Sequence, residues 1–345
     1  MKAVVFHEHG TIEKLVYTDF PTPKIESNQV LVNVKAVALN HLDLFVRQGW
    51  PGLNLEMPHI LGSDIAGVIT EVGTEVQGVE VGQKVIVDPN VYCGVCEFCL
   101  LGEHSLCREY AIIGEHKRGG YAEFVPIQAE NVISIPERSS LNFVQAAAVP
   151  LTFMTAWRML MTKARLKTGQ DILIIGIGGG VALAAMQIAK MIGARVFVTS
   201  SSDEKLEKAK ILGADFGINY REKPDWHKEV FTLTKRRGVD VVVDSVGQAT
   251  WEKSLRSLRK GGRLVTCGAT TGPIAQTNIS LLFWRQLEIL GSTMGSRSEL
   301  REVLKLVWNQ QLKPVVDQVL PLSEAKKAHQ ILEEGKQFGK LVLEP

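Results

Sequence analysis

Asp171-Ile-Leu-Ile-Ile-Gly176-Ile-Gly178-Gly179-Gly180-Val181-Ala182 decides the fold of this chain. Apolar residues run from Ile172 to Ile175 and are then cut off by glycine, which predicts a strand buried on both faces that ends in a tight turn. Val181, Leu183, Ala184, Ala185, Gln187, Ile188 and Ala189 follow as a helical run. Strand, glycine turn and helix opening together make a dinucleotide site. Gly176, Gly178, Gly179 and Gly180 let the backbone approach a pyrophosphate, and the helix N-terminus offers free N–H groups and the positive end of its dipole. Strict fingerprint spacing puts Val181 at the third glycine position, with the small residue Ala182 one place later. A second strand over residues 194–199 arrives about twenty residues on, as a βαβ unit requires. A glycine loop in some other α/β protein is the competing reading.

Working outward, the rhythm from residue 151 is strand–helix–strand. Strands are predicted at 171–176, 194–199, 216–219, 239–244 and 262–267, helices at 203–212 and 250–258, and a sixth strand at 288–294. That alternation predicts an α/β, doubly wound parallel sheet. Residues 1–150 have a different texture. Short β-rich runs at 2–6, 29–38, 66–72, 84–87 and 121–125 are punctuated by Pro21, Pro23, Gly73, Gly78 and Gly82. This predicts an antiparallel, barrel-like domain. The segment 290–345 is expected to return and complete it, so that the cofactor domain, 151–289, is an insertion.

At 345 residues, two domains are expected. Hydrophobic content of 45% and charged content of 22% are those of an ordinary globular protein. A net charge of +2 gives no electrostatic case for nucleic acid or a membrane surface. The apolar run after Met1 is too short for a signal peptide, and no stretch approaches about eighteen uninterrupted apolar residues. The expected location is therefore cytoplasmic.

Four of the five cysteines, Cys93, Cys96, Cys99 and Cys107, form a C-x2-C-x2-C-x7-C lobe over residues 90–108. Short turns aim four thiolates at one point, which suits a tetrahedral, closed and therefore structural Zn²⁺ site. Disulfides and an Fe–S cluster are the competing readings. Cys267, at the end of a strand, reads as a core residue.

These motifs carry a family resemblance. Gly62-Ser-Asp64-Ile-Ala-Gly67, Gly82-Gln-Lys-Val85, the cysteine lobe, Gly119-Gly-Tyr-Ala-Glu123, Ala146-Ala-Ala-Val-Pro150, Thr155-Ala-Trp157 and the glycine turn together resemble the medium-chain dehydrogenase/reductase superfamily of zinc alcohol dehydrogenases and quinone oxidoreductases. The resemblance spans nearly the whole chain. It implies a GroES-like β-barrel catalytic domain, a Rossmann cofactor domain and an active site in the cleft between them.

The chain departs from the zinc enzymes where it matters chemically. At the positions matching their catalytic-zinc ligands stand Asn40, the pair Ser63-Asp64, and Leu151 or a neighbour within Pro150–Met154, none of them a thiolate or imidazole. Asn and Ser bind zinc poorly, Leu not at all, and Asp64 alone cannot hold a metal. His41 and His59 lack convergent partners. The expectation is one structural zinc and no catalytic zinc. Asn40 with Asp43 resembles the quinone oxidoreductase branch. Asn40, Ser63 and Asp43 are thus the catalytic candidates, although Asp43 also reads as a buried structural carboxylate paired with a basic residue.

The end of the second strand, Val198-Thr-Ser200-Ser201-Ser202, has no carboxylate to take a ribose 2′-OH, and Lys205 follows within a turn. Hydroxyls and a cation suit a 2′-phosphate, favouring NADP(H) over NAD(H). Asp203 reads as a helix cap. The resemblance implies that Lys205 and Tyr220 contact that phosphate. By the same resemblance Thr155, Gly268, Ala269, Ser292 and Met294 line the nicotinamide, Asn40 and His41 reach the ribose or pyrophosphate, and Lys340 passes the cofactor. Phe45, Trp50, Leu151 and Trp284 are expected in an apolar substrate pocket.

The implied reaction is hydride transfer to a small-molecule carbonyl. Without a metal to polarise oxygen, a quinone or enone is a better acceptor than a simple aldehyde. A plain alcohol dehydrogenase and a non-catalytic, crystallin-like NADPH-binding protein are the alternatives. Such relatives form homodimers or homotetramers, with residues 287–294 as a sheet edge available for pairing.

Overall fold

The structure is a computed structural model describing residues 1–345. The chain divides into two compact units, Met1–Leu151 with Ser296–Pro345, and Thr152–Gly295. No helix is long and apolar enough to cross a membrane.

The first unit opens with β1 (Lys2–Phe6), β2 (Val16–Asp19) and β3 (Gln29–Ala38), followed by helix α1 (His41–Gln48). Next come β4 (His59–Ile60), β5 (Asp64–Val72), β6 (Lys84–Val87), β7 (Asn90–Val91) and the short α2 (Glu97–Leu100) of the cysteine lobe. β8 (Ala111–Ile112), β9 (Phe124–Gln128), β10 (Val132–Ser134) and α3 (Phe143–Ala147) complete this half. β3 pairs antiparallel with β5 along most of its length, and its inward face buries Val30, Val32, Val34 and Val37. Period-2 alternation aligns Val30, Val32 and Val34, and the register shift between Val34 and Ala36 breaks that period before Val37. Of residues 121–125, expected as a strand, only Phe124 and Val125 lie in one, the start of β9. Gly119, Gly120 and Tyr121 donate backbone N–H groups to Ile60, Gly62 and Leu61, so this stretch is tied to the 60–62 segment and the strand begins only at Phe124.

α4 (Pro150–Trp157) carries the chain into the second unit. There β11 (Asp171–Ile174), α5 (Gly180–Met191), β12 (Arg195–Ser200), α6 (Asp203–Ile211), β13 (Phe216–Asn219), α7 (Trp226–Leu233), β14 (Val239–Val243), α8 (Trp251–Ser257), β15 (Leu258–Thr266), α9 (Ile279–Arg285) and β16 (Glu288–Gly291) alternate. All five strand pairs are parallel, in the order β13-β12-β11-β14-β15-β16. The order reverses beside β11, the strand that feeds the glycine turn. In open α/β sheets this switch point is where ligands bind. Leu173, Phe197, Val242 and Leu264 form the core beneath it.

The chain re-enters the first unit through α10 (Arg297–Trp308), β17 (Val316–Pro321), α11 (Ala325–Glu333) and β18 (Lys340–Glu344). β18 lies between β3 and β17, so the last strand is interior to the same sheet as β3 and β5.

Candidate functional site

In the first unit, β3 ends and α1 begins at Asn40. Asn40 and Asp43 form a capping box, with the Asn40 N–H donating to Asp43 Oδ2 at 2.7 Å. Gly62 donates its N–H to Asp43 Oδ1 at 3.1 Å. Gly62 has a φ of +100°, and a Cβ there would fall 2.5 Å from the Tyr121 ring, so glycine is required on both counts. Asp43 is fully buried, and burial pushes its pKa up to about 6 against the pull of these amides and of Lys340.

A second carboxylate, Asp64, opens β5. Its Oδ1 accepts from the Leu151 N–H at 2.8 Å. Its Oδ2 accepts from Asn40 Nδ2 and from Lys340 Nζ, both at 2.9 Å. Lys340 Nζ also donates to Asn40 Oδ1 at 2.6 Å. Asn40, Asp64 and Lys340 thus form a closed triangle, all three buried. Ser63, between Gly62 and Asp64, is fully buried, and its Oγ has no partner within the protein. His41 starts α1, and burial and Lys340 lower its pKa. His59 is buried with Nε2 3.3 Å from the Gly114 carbonyl, and burial lowers its pKa to about 4.

These residues do not fit a metal. Beside Asp64 stand an amide, a partnerless hydroxyl and an ammonium that has no lone pair to offer, and both carboxylate oxygens are already engaged by Leu151, Asn40 and Lys340. The cysteine lobe does fit one. Its four Sγ atoms lie within 4.8 Å of one another, with separations of 3.5, 3.6 and 4.0 Å across three of the pairs. Tetrahedral zinc–thiolate bonding requires about 3.8 Å between sulfurs. Backbone N–H groups of Cys96 and Glu109 point at Cys93 and Cys107 sulfurs, as thiolates need. Backbone N–H groups at Cys99 and Arg108 pull Cys96 down to about 6. Four filled positions make this a structural site for zinc.

In the second unit, Gly176 has a φ of +73° and donates its N–H to Thr199 Oγ1 at 3.1 Å. A Cβ at Gly179 would meet nothing within 4 Å, so the turn leaves open space over the start of α5. That shape fits a pyrophosphate. Val181 lies in the first turn of α5. Ser200, at the end of β12, is buried, and its carbonyl accepts from the Tyr220 N–H. The cap of α6 is Ser202, whose Oγ accepts from the Lys205 N–H. Asp203, expected as the cap, is instead the first helical residue, with Oδ1 accepting from Asn219 Nδ2. Ser201 lies between the strand end and that cap. Thr155 and Met294, far apart in sequence, come together with Thr155 Oγ1 3.8 Å from the Met294 sulfur. Met294 adopts a left-handed φ of +48°. Ser292, after β16, has a buried Oγ without a partner. Gly268 and Ala269 follow the end of β15.

Residues 26–137 match the family model of the alcohol dehydrogenase GroES-like domain, and residues 180–309 that of zinc-binding dehydrogenases. An NAD-dependent alcohol dehydrogenase of Sulfolobus acidocaldarius is 34% identical, with 99% of each chain covered. The chain belongs to the zinc-type medium-chain dehydrogenase/reductase superfamily. A solved structure of an NAD-dependent alcohol dehydrogenase is 46% identical, with a TM-score of 0.96 over the whole of both chains. An acryloyl-coenzyme A reductase of Sulfurisphaera tokodaii is 29% identical over 100% of both. The chain is therefore an NAD(P)-dependent oxidoreductase of this superfamily.

Two further expectations are corrected. Trp284 is 75% exposed on α9, too open to line an enclosed pocket within this chain. Cys267 lies beyond the end of β15 and is only partly buried. Leu151 is buried, Phe45 is partly buried, and Trp50 is exposed. Sequence reasoning missed the Lys340–Asp64 ion pair, and it missed Tyr121, Arg47 and His329, which are buried near Asp43. A charged or polar residue within an otherwise apolar helix face, such as Arg47 in α1 or His329 in α11, was the available signal.

Proposed function

We propose that this oxidoreductase is an NADP(H)-dependent reductase of conjugated carbonyl compounds, quinones or α,β-unsaturated carbonyls, working without a catalytic metal. The engagement of both Asp64 oxygens by Leu151, Asn40 and Lys340 carries the reading. It leaves a site made of hydrogen-bond donors. When bound, the nicotinamide supplies a hydride at C4. The chain's part is to hold the acceptor oxygen. Ser63 Oγ, free of protein partners, and a Lys340 ammonium with two of its three N–H bonds committed are the donors for that oxygen. Donors of this kind stabilise less charge than a Lewis-acid metal, so an acceptor that delocalises the added electrons suits them better. The relative named for acryloyl-coenzyme A, a conjugated thioester, supports this reading.

For the cofactor, the strand end at Ser200, Ser201 and Ser202 carries no carboxylate to repel a 2′-phosphate, and Asp203, held by Asn219, lies past it in the first turn of α6. Lys205 and the exposed Tyr220 are the groups that would hold it. The cysteine lobe holds one structural zinc. The assembly is a homo-oligomer in which β16, the open edge of the parallel sheet, pairs with a second copy.

The test is elemental analysis followed by turnover assays. The expected result is about one zinc per chain, preference for NADPH over NADH, and reduction of an enone or quinone far faster than acetaldehyde, insensitive to chelators. Roughly two zinc ions per chain with rapid, chelator-sensitive ethanol oxidation would overturn the proposal.

A further inference from the structure

Beyond the two backbone amides described above, Asp43 has a phenol for a neighbour. Tyr121 is fully buried beside it, and burial together with the Asp43 charge raises the phenol pKa well above its ordinary value, so the O–H keeps its proton. On its far side Tyr121 Oη lies 3.2 Å from His329 Nε2, with the two rings edge to face. His329 Nδ1 lies 3.1 Å from Arg47 Nη1. A guanidinium only donates, so Nδ1 must accept, and the proton of the neutral imidazole sits on Nε2, pointing at Tyr121. Burial and Arg47 hold His329 neutral, with its pKa lowered to about 3. Two directions are therefore fixed, Arg47 donating to His329 and His329 to Tyr121, which leaves the Tyr121 proton free for the neighbouring Asp43 carboxylate. Arg47 is itself anchored by Glu333 and by the Gly10 carbonyl, 3.1 Å from its Nε.

We propose that Arg47, His329 and Tyr121 are a one-way chain of donors that holds Asp43 as a carboxylate and so positions Asn40 and the Gly62–Ser63 backbone for hydride transfer. The inference rests on the reading of the Asn40–Ser63 cluster as the hydride-transfer site. Asp43 itself lies behind that site and holds its backbone. As a carboxylate it accepts from Asn40 and Gly62 through different oxygens. When protonated, one oxygen must donate, and one of the three donors loses its acceptor. The site then loosens at the two residues that flank the acceptor.

The groups facing Asp43 are Lys340 from β18, Asp64 from β5, Tyr121 from the segment before β9, and Arg47 on its own helix, with His329 behind from α11. Lys340 favours the carboxylate and Asp64 opposes it. Burial opposes it most, the Asn40 and Gly62 amides stand against burial with Lys340, and the donor chain adds to them. Each link comes from a different element, and Arg47 and His329 are 282 residues apart in sequence.

The test uses the infrared band of the protonated Asp43 carboxyl, followed against pH in the whole protein and identified by its loss in D43N. In Y121F the midpoint of that band should rise by about one pH unit, the scale on which a charge-assisted hydrogen bond holds a carboxylate ionised. H329L should shift it the same way. H329Q, whose amide can accept from Arg47 and donate to Tyr121, should restore most of it. The acid limb of kcat should move by the same amount as the band. An unchanged midpoint in Y121F and H329L would sink the proposal. So would a fall in kcat that is equal at every pH, which is what a merely structural role gives. Because the band is read without substrate, a shifted midpoint in a protein that reduces no conjugated carbonyl would sink the substrate reading and leave this one standing.

Discussion

Lys340 and Asp64 sit 2.9 Å apart with side-chain exposures of 4% and 0%, so neither charge is screened by water. Removing one member of such a pair leaves the other uncompensated, at a cost of about 3–5 kcal/mol. K340M should therefore lower Tm by several degrees, while D64N/K340M should recover part of the loss because no lone buried charge remains. A calorimetric double-mutant cycle reads the coupling directly. At this scale the sequence shows residue types and hides partnerships. Asn40, Ser63 and Asp64 are legible as poor metal donors because coordination chemistry depends on atom type. That Asn40 meets a lysine 300 residues later is not legible, since neither periodicity nor spacing encodes it. Tyr121 was quoted as part of a motif, yet its role as the link between His329 and Asp43 needs coordinates.

Among the elements, β16 and α9 carry the clearest unmet surface. β16 closes the sheet on one side only, with Ile289 37% exposed, and α9 presents Phe283 and Trp284 at 58% and 75%. An apolar sheet edge without a covering strand invites pairing, and isologous pairing gives a closed dimer. Ile289→Lys should place like charges on the edge and shift sedimentation toward the monomer, with the fold of each copy intact. A wild-type-like sedimentation profile for that variant would move the interface elsewhere. Elements were also the most legible level. β13 coincides with the segment read from sequence, and β11, β12 and β14 agree to within two residues, because each is a short β-branched run bounded by turn residues. The misread strand at 121–125 failed for a physical reason. Over residues 121–123 its backbone bonds are shared out among Leu61, Lys2, Val4 and Val34 instead of running along one partner strand, a tertiary choice that propensity does not contain.

Taken whole, the molecule buries ionisable groups of both kinds. Asp43 and Asp88 are pushed up to about 6 and Glu115 to about 7, chiefly by burial. A carboxyl whose folded pKa is raised adds stability that is complete below its unfolded pKa of about 4 and is lost as pH rises through the folded value. His59 and His329, lowered to about 4 and about 3, act oppositely. Their contribution is present above about 6.5 and is lost on acidification. Between about pH 4 and 6.5 the two sets largely cancel, so Tm should change little there. D88N removes one carboxylate contribution, on the order of 2–3 kcal/mol for a shift of about two units. The histidine slope should then appear as a Tm that falls with acidification. A D88N protein whose Tm rises as pH drops through that window would contradict this balance. The strand–helix alternation of the second unit and the β texture of the first are legible at this scale because each follows one hydrophobic period. The placement of β18 inside the first sheet is not, since strand order is a long-range choice.

That placement has a consequence in time. A ribosome delivers Asn40 and Asp64 first and Lys340 300 and 276 residues afterwards, with an entire second unit made in between. Until β18 slots between β3 and β17, the nascent sheet carries a gap, and the Asp64 carboxylate waits without its cation. The whole of the glycine-turn unit is thus synthesised before the Asn40–Asp64–Lys340 triangle can close.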